Sequence, residues 1–292
     1  MFTRIIGSTI AMVVVLGLVA ASAPAGLVAR WSFNEGSGTT TGDAAGHLDP
    51  GTLTQVSGGL PLWVAGRTGD AGDYALSFST GSTLNYVKVN DKNSWLDAPN
   101  VSNQFTIAAW VYDRGQTTWG RILSGSGPAT EEFEYAVGQS GTATKDGFDL
   151  YFRSGSEWAP TNLVAQNQWS HIAVTYSFNP STNAATATFY LDGQLKSTQT
   201  QTSAGNKPKL LDFVQIGNFQ YNGANRPFEG TIDELRFYDN AMGGAEVAAL
   251  GAILTATPPA GGQFDFGSIG QVSIPRIPSG NASGEFLGLP VR

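Results

Sequence analysis

The sequence predicts an all-β protein, a jelly-roll sandwich of two antiparallel sheets. Three observations carry this. Short segments rich in Val, Ile, Phe, Tyr and Thr recur along the chain, and several alternate apolar and polar residues at the two-residue period of a strand. Clusters of Gly, Asn, Asp and Ser separate them, as turns require. No segment carries a helical pattern of ordinary length; only residues 245–250 read as a short helical turn of good helix formers.

The elements follow in order. Residues 27–33 (LVARWSF) have strand composition and are broken by the turn Asn34-Glu35-Gly36-Ser37-Gly38. Residues 39–51 read as a polar loop. Residues 74–78 and 86–89 are short strands of a hairpin, and 91–103 is a polar loop carrying Trp95. Residues 105–112 (FTIAAWVY) form the strongest strand; being apolar on both faces, it belongs mid-sheet. Residues 121–123, 132–137 and 148–153 follow as strands. In 169–176, Ile172, Val174 and Tyr176 share one face and His171, Ala173 and Thr175 the other. Residues 185–191 alternate again, and Asp192-Gly193 signals a type I′ hairpin leading into 194–198. Residues 214–217 and 231–238 close the set.

The ends read differently. Arg4, the apolar run 10–19 and the small residues Ala21-Ser22-Ala23 have the form of a secretory signal peptide over 1–23. The run is too short to favour a membrane span, and no second apolar run long enough to cross follows. Residues 255–292, punctuated by Pro258-Pro259, Pro275, Pro278 and Pro290, read as a Pro/Gly-rich tail. A domain over 24–254 remains, long enough for a core without staples. The net charge is −7 and no Lys/Arg cluster occurs, so nucleic acid is not an expected partner. The chain has no cysteine, which excludes disulfides, thiol nucleophiles and Cys-containing zinc sites. A secreted protein is expected, held by its core with the help of a metal.

The ordered set LVARWSFNEGSG, ALSF, YVKV, FTIAAWV, WSHIAVTY, FYLDGQL, IGN and FEGTIDELRFYDNAM resembles the laminin G-like, concanavalin A-like domains that bacteria secrete. The resemblance covers residues 27–254. It implies a concanavalin A-like sandwich with one concave sheet; relatives bind sugars or proteins or, in some branches, hydrolyse glycans, so function must be argued from the site. It also implies a structural calcium between the first strand's end and the closing strand. That pattern maps onto Asp233, with Asn34, Glu35 and Gly36, and with Asp43 as a further ligand. Calcium takes 6 to 8 oxygens, many of them carbonyls. The alternative is that Arg236 or Arg30 neutralises these carboxylates.

Catalytic residues are not expected. His47 lies in a loop and His171 in a strand, without a nucleophile elbow or a metal-spaced partner. Glycanases of this fold place acids at alternating positions on one strand. Glu132 and Glu134 fit that spacing, but Ala136 and Val137 stand where a third acid belongs. Sugar binding combines aromatic platforms with amides and carboxylates on loops. Trp95, Trp119, Trp158 and Tyr221 are the candidate platforms, and Asp91, Asn93, Asp97 and Asn222 the polar partners. The alternative for each ring is burial at an open end of the sandwich. Glu234 and Arg236, two positions apart on one strand face, read as a solvated surface pair. The sequence therefore predicts a secreted, non-catalytic binding module for a carbohydrate or an extracellular protein. The alternatives are an adhesive surface component docked through its tail and a divergent glycanase.

Overall fold

A computed structural model describes residues 26–78, 83–91, 103–126, 131–142, 145–152, 156–161, 163–202, 213–221 and 224–253, with backbone alone at 126, 131, 132, 139–142, 221, 224 and 253. The expected signal peptide, the expected tail, and Asn93, Trp95, Asp97 and Asn222 lie outside the described residues.

The strands in chain order are β1 (Leu27–Trp31), β2 (Thr40–Thr41), β3 (Gly51–Ser57), β4 (Leu62–Ala65), β5 (Tyr74–Phe78), β6 (Leu84–Asn90), β7 (Gln104–Asp113), β8 (Gly120–Ser126), β9 (Glu131–Thr142) and β10 (Lys145–Phe152). Then come β11 (Ser156–Trp158), β12 (Val164–Ala165), β13 (Trp169–Asn179), β14 (Ala184–Leu191), β15 (Gln194–Thr202), β16 (Phe213–Ile216), β17 (Gln220–Tyr221), β18 (Ala224–Asn225) and β19 (Gly230–Tyr238), followed by helix α1 (Gly244–Ile253). One sheet, sheet A, runs β15-β14-β13-β7-β19-β5-β4, with β1 also on β19. The other, sheet B, runs β11-β10-β9-β8-β16-β6-β3-β2, with β12 also on β10. The pairings are antiparallel.

The two sheets bury one continuous core, and strand period decides which side chains enter it. Ile107, Ala109 and Val111 of β7 meet Phe133, Tyr135 and Val137 of β9 and Phe148, Leu150 and Phe152 of β10 in that core. Phe105 stacks on Tyr176 and Phe237, with ring centroids 4.9 and 5.5 Å apart. The alternate residues Ala108 and Ala173 face the other side of sheet A. There α1 lays Val247 and Leu250 against them together with Tyr190, Tyr238 and Met242. The mid-sheet place expected of 105–112 follows from this: the core covers one face and the helix end of the chain covers part of the other.

The Asp192-Gly193 turn takes positive φ at both residues, 51° and 73°, as a type I′ hairpin demands. Sequence reading missed β3 and β4, having placed 39–51 in a loop and nothing regular over 52–73. Thr52, Thr54 and Gln55 dilute the apolar signal of β3, of which only Leu53 reaches the core. Trp158 requires a correction. It was expected as a loop platform, but it is fully buried in β11 opposite Leu150. Its ring packs edge-on against Phe152 and Tyr176, with centroids 5.4 and 5.7 Å away. A binding role is closed to it.

Candidate functional site

The outer face of sheet B, turned away from the core, is polar from edge to edge. The strand registers pair Thr40 with Thr52, Thr52 with Lys88, Lys88 with Gln215, and Gln215 with Ser124. They continue from Ser124 to Glu134, Glu134 to Tyr151, and Tyr151 to Glu157. At a strand spacing near 4.8 Å this is an unbroken row roughly 30 Å long. One residue along each strand lie the core residues Leu53, Val87, Leu123, Phe133, Leu150 and Trp158.

The middle of the row is built, while its ends are open. Arg121 of β8 and Glu134 of β9, both buried, form an ion pair. Arg121 Nη1 also donates to the carbonyl of Trp119 (2.7 Å). Trp119 lies across Gly138 on the same face, where any side chain at 138 would collide with the indole. Trp119 is partly exposed, and the ion-paired Arg121 holds its backbone in place. On the other side the β17–β18 hairpin is fixed by amide side chains. Gln215 Oε1 accepts from Gln220 N (2.7 Å) while its Nε2 donates to Gln220 O (3.1 Å). Asn218 Oδ1 accepts from Arg226 N (2.8 Å), and Arg121 N donates to Arg226 O (3.1 Å). Lys88 Nζ stands 4.7 Å from the Phe213 ring centre on the same face.

Trp119 and the hairpin carrying Tyr221 thus flank Arg121. Of Tyr221 only the backbone is described. Asp91 follows the far end of β6, beside the Asn90–Phe213 pair, and does not join them. Sequence reasoning missed Asp149 and Tyr151, which share the outer face of β10; Asp149 pairs with Ala136 and is buried. The alternation in Phe148-Asp149-Leu150-Tyr151-Phe152 carried that signal. Only the backbone of Glu132 is described. Glu134 has Asp149 as a diagonal neighbour, but its partner is a guanidinium. Glycoside hydrolysis needs a protonated acid facing a second carboxyl across the scissile bond.

The expected calcium ligands are taken up separately. Asp43 Oδ1 accepts from Arg30 N and Ala45 N, and Oδ2 from His47 N and Leu48 N, at 2.8 to 3.0 Å. Its lone-pair positions are then filled. Glu35 Oε1 accepts from Thr41 Oγ1 and Gly42 N. Asn34 Oδ1 accepts from Tyr74 N, against whose ring Gly36 packs. Asp233 Oδ2 accepts from Arg67 N (3.1 Å). Among the described residues no three His, Asp or Glu side chains gather as a metal cage. Amides thus close Asp43 to a cation, while Glu35, Asn34 and Asp233 each accept an amide hydrogen bond and Asp233 keeps Oδ1 open. Burial raises Asp233 to about 7.

Glu234 and Arg236 are not a solvated pair. Glu234 takes a positive φ of 49° at a bulge in β19. Its buried carboxylate accepts from Arg30 Nε and Nη2 (2.9 and 2.8 Å) and Arg236 Nη2 (3.0 Å). A strict two-residue alternation cannot foresee a bulge. His171 donates its backbone N–H to Asp192 Oδ1 (2.9 Å). Its ring is buried against Trp110, and burial together with Arg236 and Arg67 lowers it to about 4.

A family model described as the concanavalin A-like lectin/glucanases superfamily matches residues 80–248. No match is found among curated proteins. Among solved structures, the chain is similar to domain 4 of AbnA, a GH43 extracellular arabinanase from Geobacillus stearothermophilus, in complex with arabinotriose. Identity is 22%, the TM-score is 0.55, and 78% of this chain and 98% of that one are covered. It is also similar to the binding domain of botulinum neurotoxin DC in complex with rat synaptotagmin II, at 10% identity and TM-score 0.55, covering 80% of this chain and 52% of that one. A botulinum neurotoxin type C structure concerned with cell entry through two ganglioside molecules matches at 13% identity and TM-score 0.53, with 80% and 52% covered. The chain therefore spans about half the length of the toxin domains. At these identities the likeness is one of fold.

Proposed function

Because the chain belongs to the concanavalin A-like lectin/glucanases superfamily, we propose that it is a secreted, non-catalytic binding module for carbohydrate. The observation that carries this reading is the polar row across sheet B, with Trp119 held over Gly138 by Arg121. A partly exposed indole gives a sugar ring an apolar face to stack on, and the exposed polar side chains of the row, such as Lys88 and Glu157, offer partners for its hydroxyls. The arabinanase domain in complex with arabinotriose supports the same ligand class. The N-terminal apolar run supports export, and no helix among the described residues is long and apolar enough to cross a membrane. Structural calcium is not needed for this reading: backbone amides saturate Asp43, while Asp233 keeps Oδ1 open.

Binding without turnover is the expected behaviour. Incubated with arabinan, glucan and related polysaccharides, the full chain should release no reducing ends above a boiled control. Release that disappears on Glu134→Gln would instead make Glu134 and Asp149 a catalytic pair and end the non-catalytic reading.

A further inference from the structure

The opposite outer face, on sheet A, holds a second polar assembly that the sheet B reading does not use. The registers set Asp233 beside Trp110 and Trp110 beside His171, in one row over β19, β7 and β13. Arg236, opposite Ala108, stands in the next row of the same face. Arg67 reaches over from the β4–β5 connection, with its guanidinium carbon 4.4 Å from the Trp110 ring centre. The Trp110 and His171 ring centres are 5.3 Å apart.

Five buried polar atoms here have no hydrogen-bond partner among the described residues: Arg67 Nη2, Trp110 Nε1, His171 Nδ1, Asp233 Oδ1 and Arg236 Nε. Native interiors pair nearly all such atoms, so a cluster of them points to a bound species. The free donors say which kind. Glu234 is one carboxylate shared by two guanidiniums, Arg30 and Arg236. Asp233 meets Arg67 through the backbone amide rather than the guanidinium. Asp73 also lies within electrostatic reach of Arg67 and Asp233, and three of the five atoms are N–H donors that cannot accept. Helix α1 covers the His171 side, where a side chain at Gly251 would stand 3.2 Å from Nδ1. Arg67 itself is only partly buried.

We propose that Arg67, Trp110, His171, Asp233 and Arg236 form a binding site for the carboxylate group of a ligand, either a small organic acid or a uronic acid. A planar guanidinium fork matches a carboxylate, Trp110 Nε1 adds a donor, and Asp233 Oδ1 takes a ligand hydroxyl.

The test uses the full chain, thermal melts and intrinsic tryptophan fluorescence, with acetate, glucuronate and glucose as probes and ionic strength held constant with sodium chloride. Acetate and glucuronate should raise the melting temperature saturably, as a ligand of the folded state does, and glucose should not. Equal effects assign the site to the carboxylate alone; a larger effect of glucuronate assigns part of it to the sugar ring. Arg67→Ala, a loop change that breaks no ion pair among the described residues, should weaken either response about tenfold or more. Arg67→Lys, which keeps the charge and loses the fork, should fall between. The proposal is overturned if neither anion exceeds chloride, or if the response survives Arg67→Ala. The site lies on the face opposite the proposed carbohydrate row, so either can fail without the other.

Discussion

Arg121→Ala is expected to cost about 3–5 kcal/mol of folding stability, because it leaves the Glu134 carboxylate charged and unpaired beneath the outer face of sheet B. Arg121 is 5% exposed and Glu134 6%, so water offers little compensation. Glu134→Ala should cost a similar amount by stranding the guanidinium. Replacing both by apolar residues of similar size, Arg121→Met with Glu134→Leu, should recover most of the loss, since a buried pair costs almost as much to desolvate as it returns. Urea denaturation of the three variants, with unchanged slopes, measures this. Single costs below about 1 kcal/mol would mean a solvated pair and would remove the support assigned to Trp119.

Stability should also fall as pH rises from 5 to 7, the reverse of ordinary acid denaturation. Asp113 of β7 and Asp146 of β10 bring their carboxyls together at one end of the sandwich, and burial with this contact raises Asp113 to about 7. Gln116 locks the pair, accepting nothing from it: its N–H donates to Asp146 Oδ2 (3.0 Å) and its Nε2 to Asp113 Oδ1 (2.7 Å). A folded value above the unfolded one means that the native state holds a proton the unfolded chain has lost. That stability is full below the unfolded value near 4 and is lost as pH rises through about 7. Asp233, also raised to about 7, acts in the same sense. His171, lowered to about 4, acts oppositely: its stability is present above the unfolded value near 6.5 and is lost as pH falls towards 4. Two carboxyls against one imidazole leave a net decline on the order of 1 kcal/mol per pH unit. Asp113→Asn keeps the contact without a titrating group and should flatten the melting temperature between pH 5 and 7. An equally steep decline in that variant would show that Asp113 does not hold the proton.

The sheets were largely legible in the sequence, and the reasons are local. In residues 105–112 and 169–176 the side-chain period alone separates core from surface, and Asp192-Gly193 needs only its own backbone preferences. The misses lie where tertiary partners decide. Trp158 stands on a three-residue edge strand, and its burial comes from Phe152 and Tyr176, neither predictable as its neighbour. Glu234 follows a bulge, so alternation assigned it to solvent. Trp119 was legible as a ring in a polar segment. The Arg121–Glu134 pair that supports it was not, because only the β8–β9 register brings those two residues together. Asp43 shows a related gap: composition marks an oxygen-rich turn but not the four backbone amides that fill its carboxylate.

The most direct test of the central claim is a glycan array probed with the full chain and with a Trp119→Ala variant whose melting temperature is checked separately. The account predicts saturable binding to one sugar class by the wild-type chain, weakened about tenfold or more when the stacking surface is removed. Undiminished binding by Trp119→Ala would place the ligand elsewhere on the molecule. A blank array with folded protein would contradict the carbohydrate reading outright and turn attention to an extracellular protein partner.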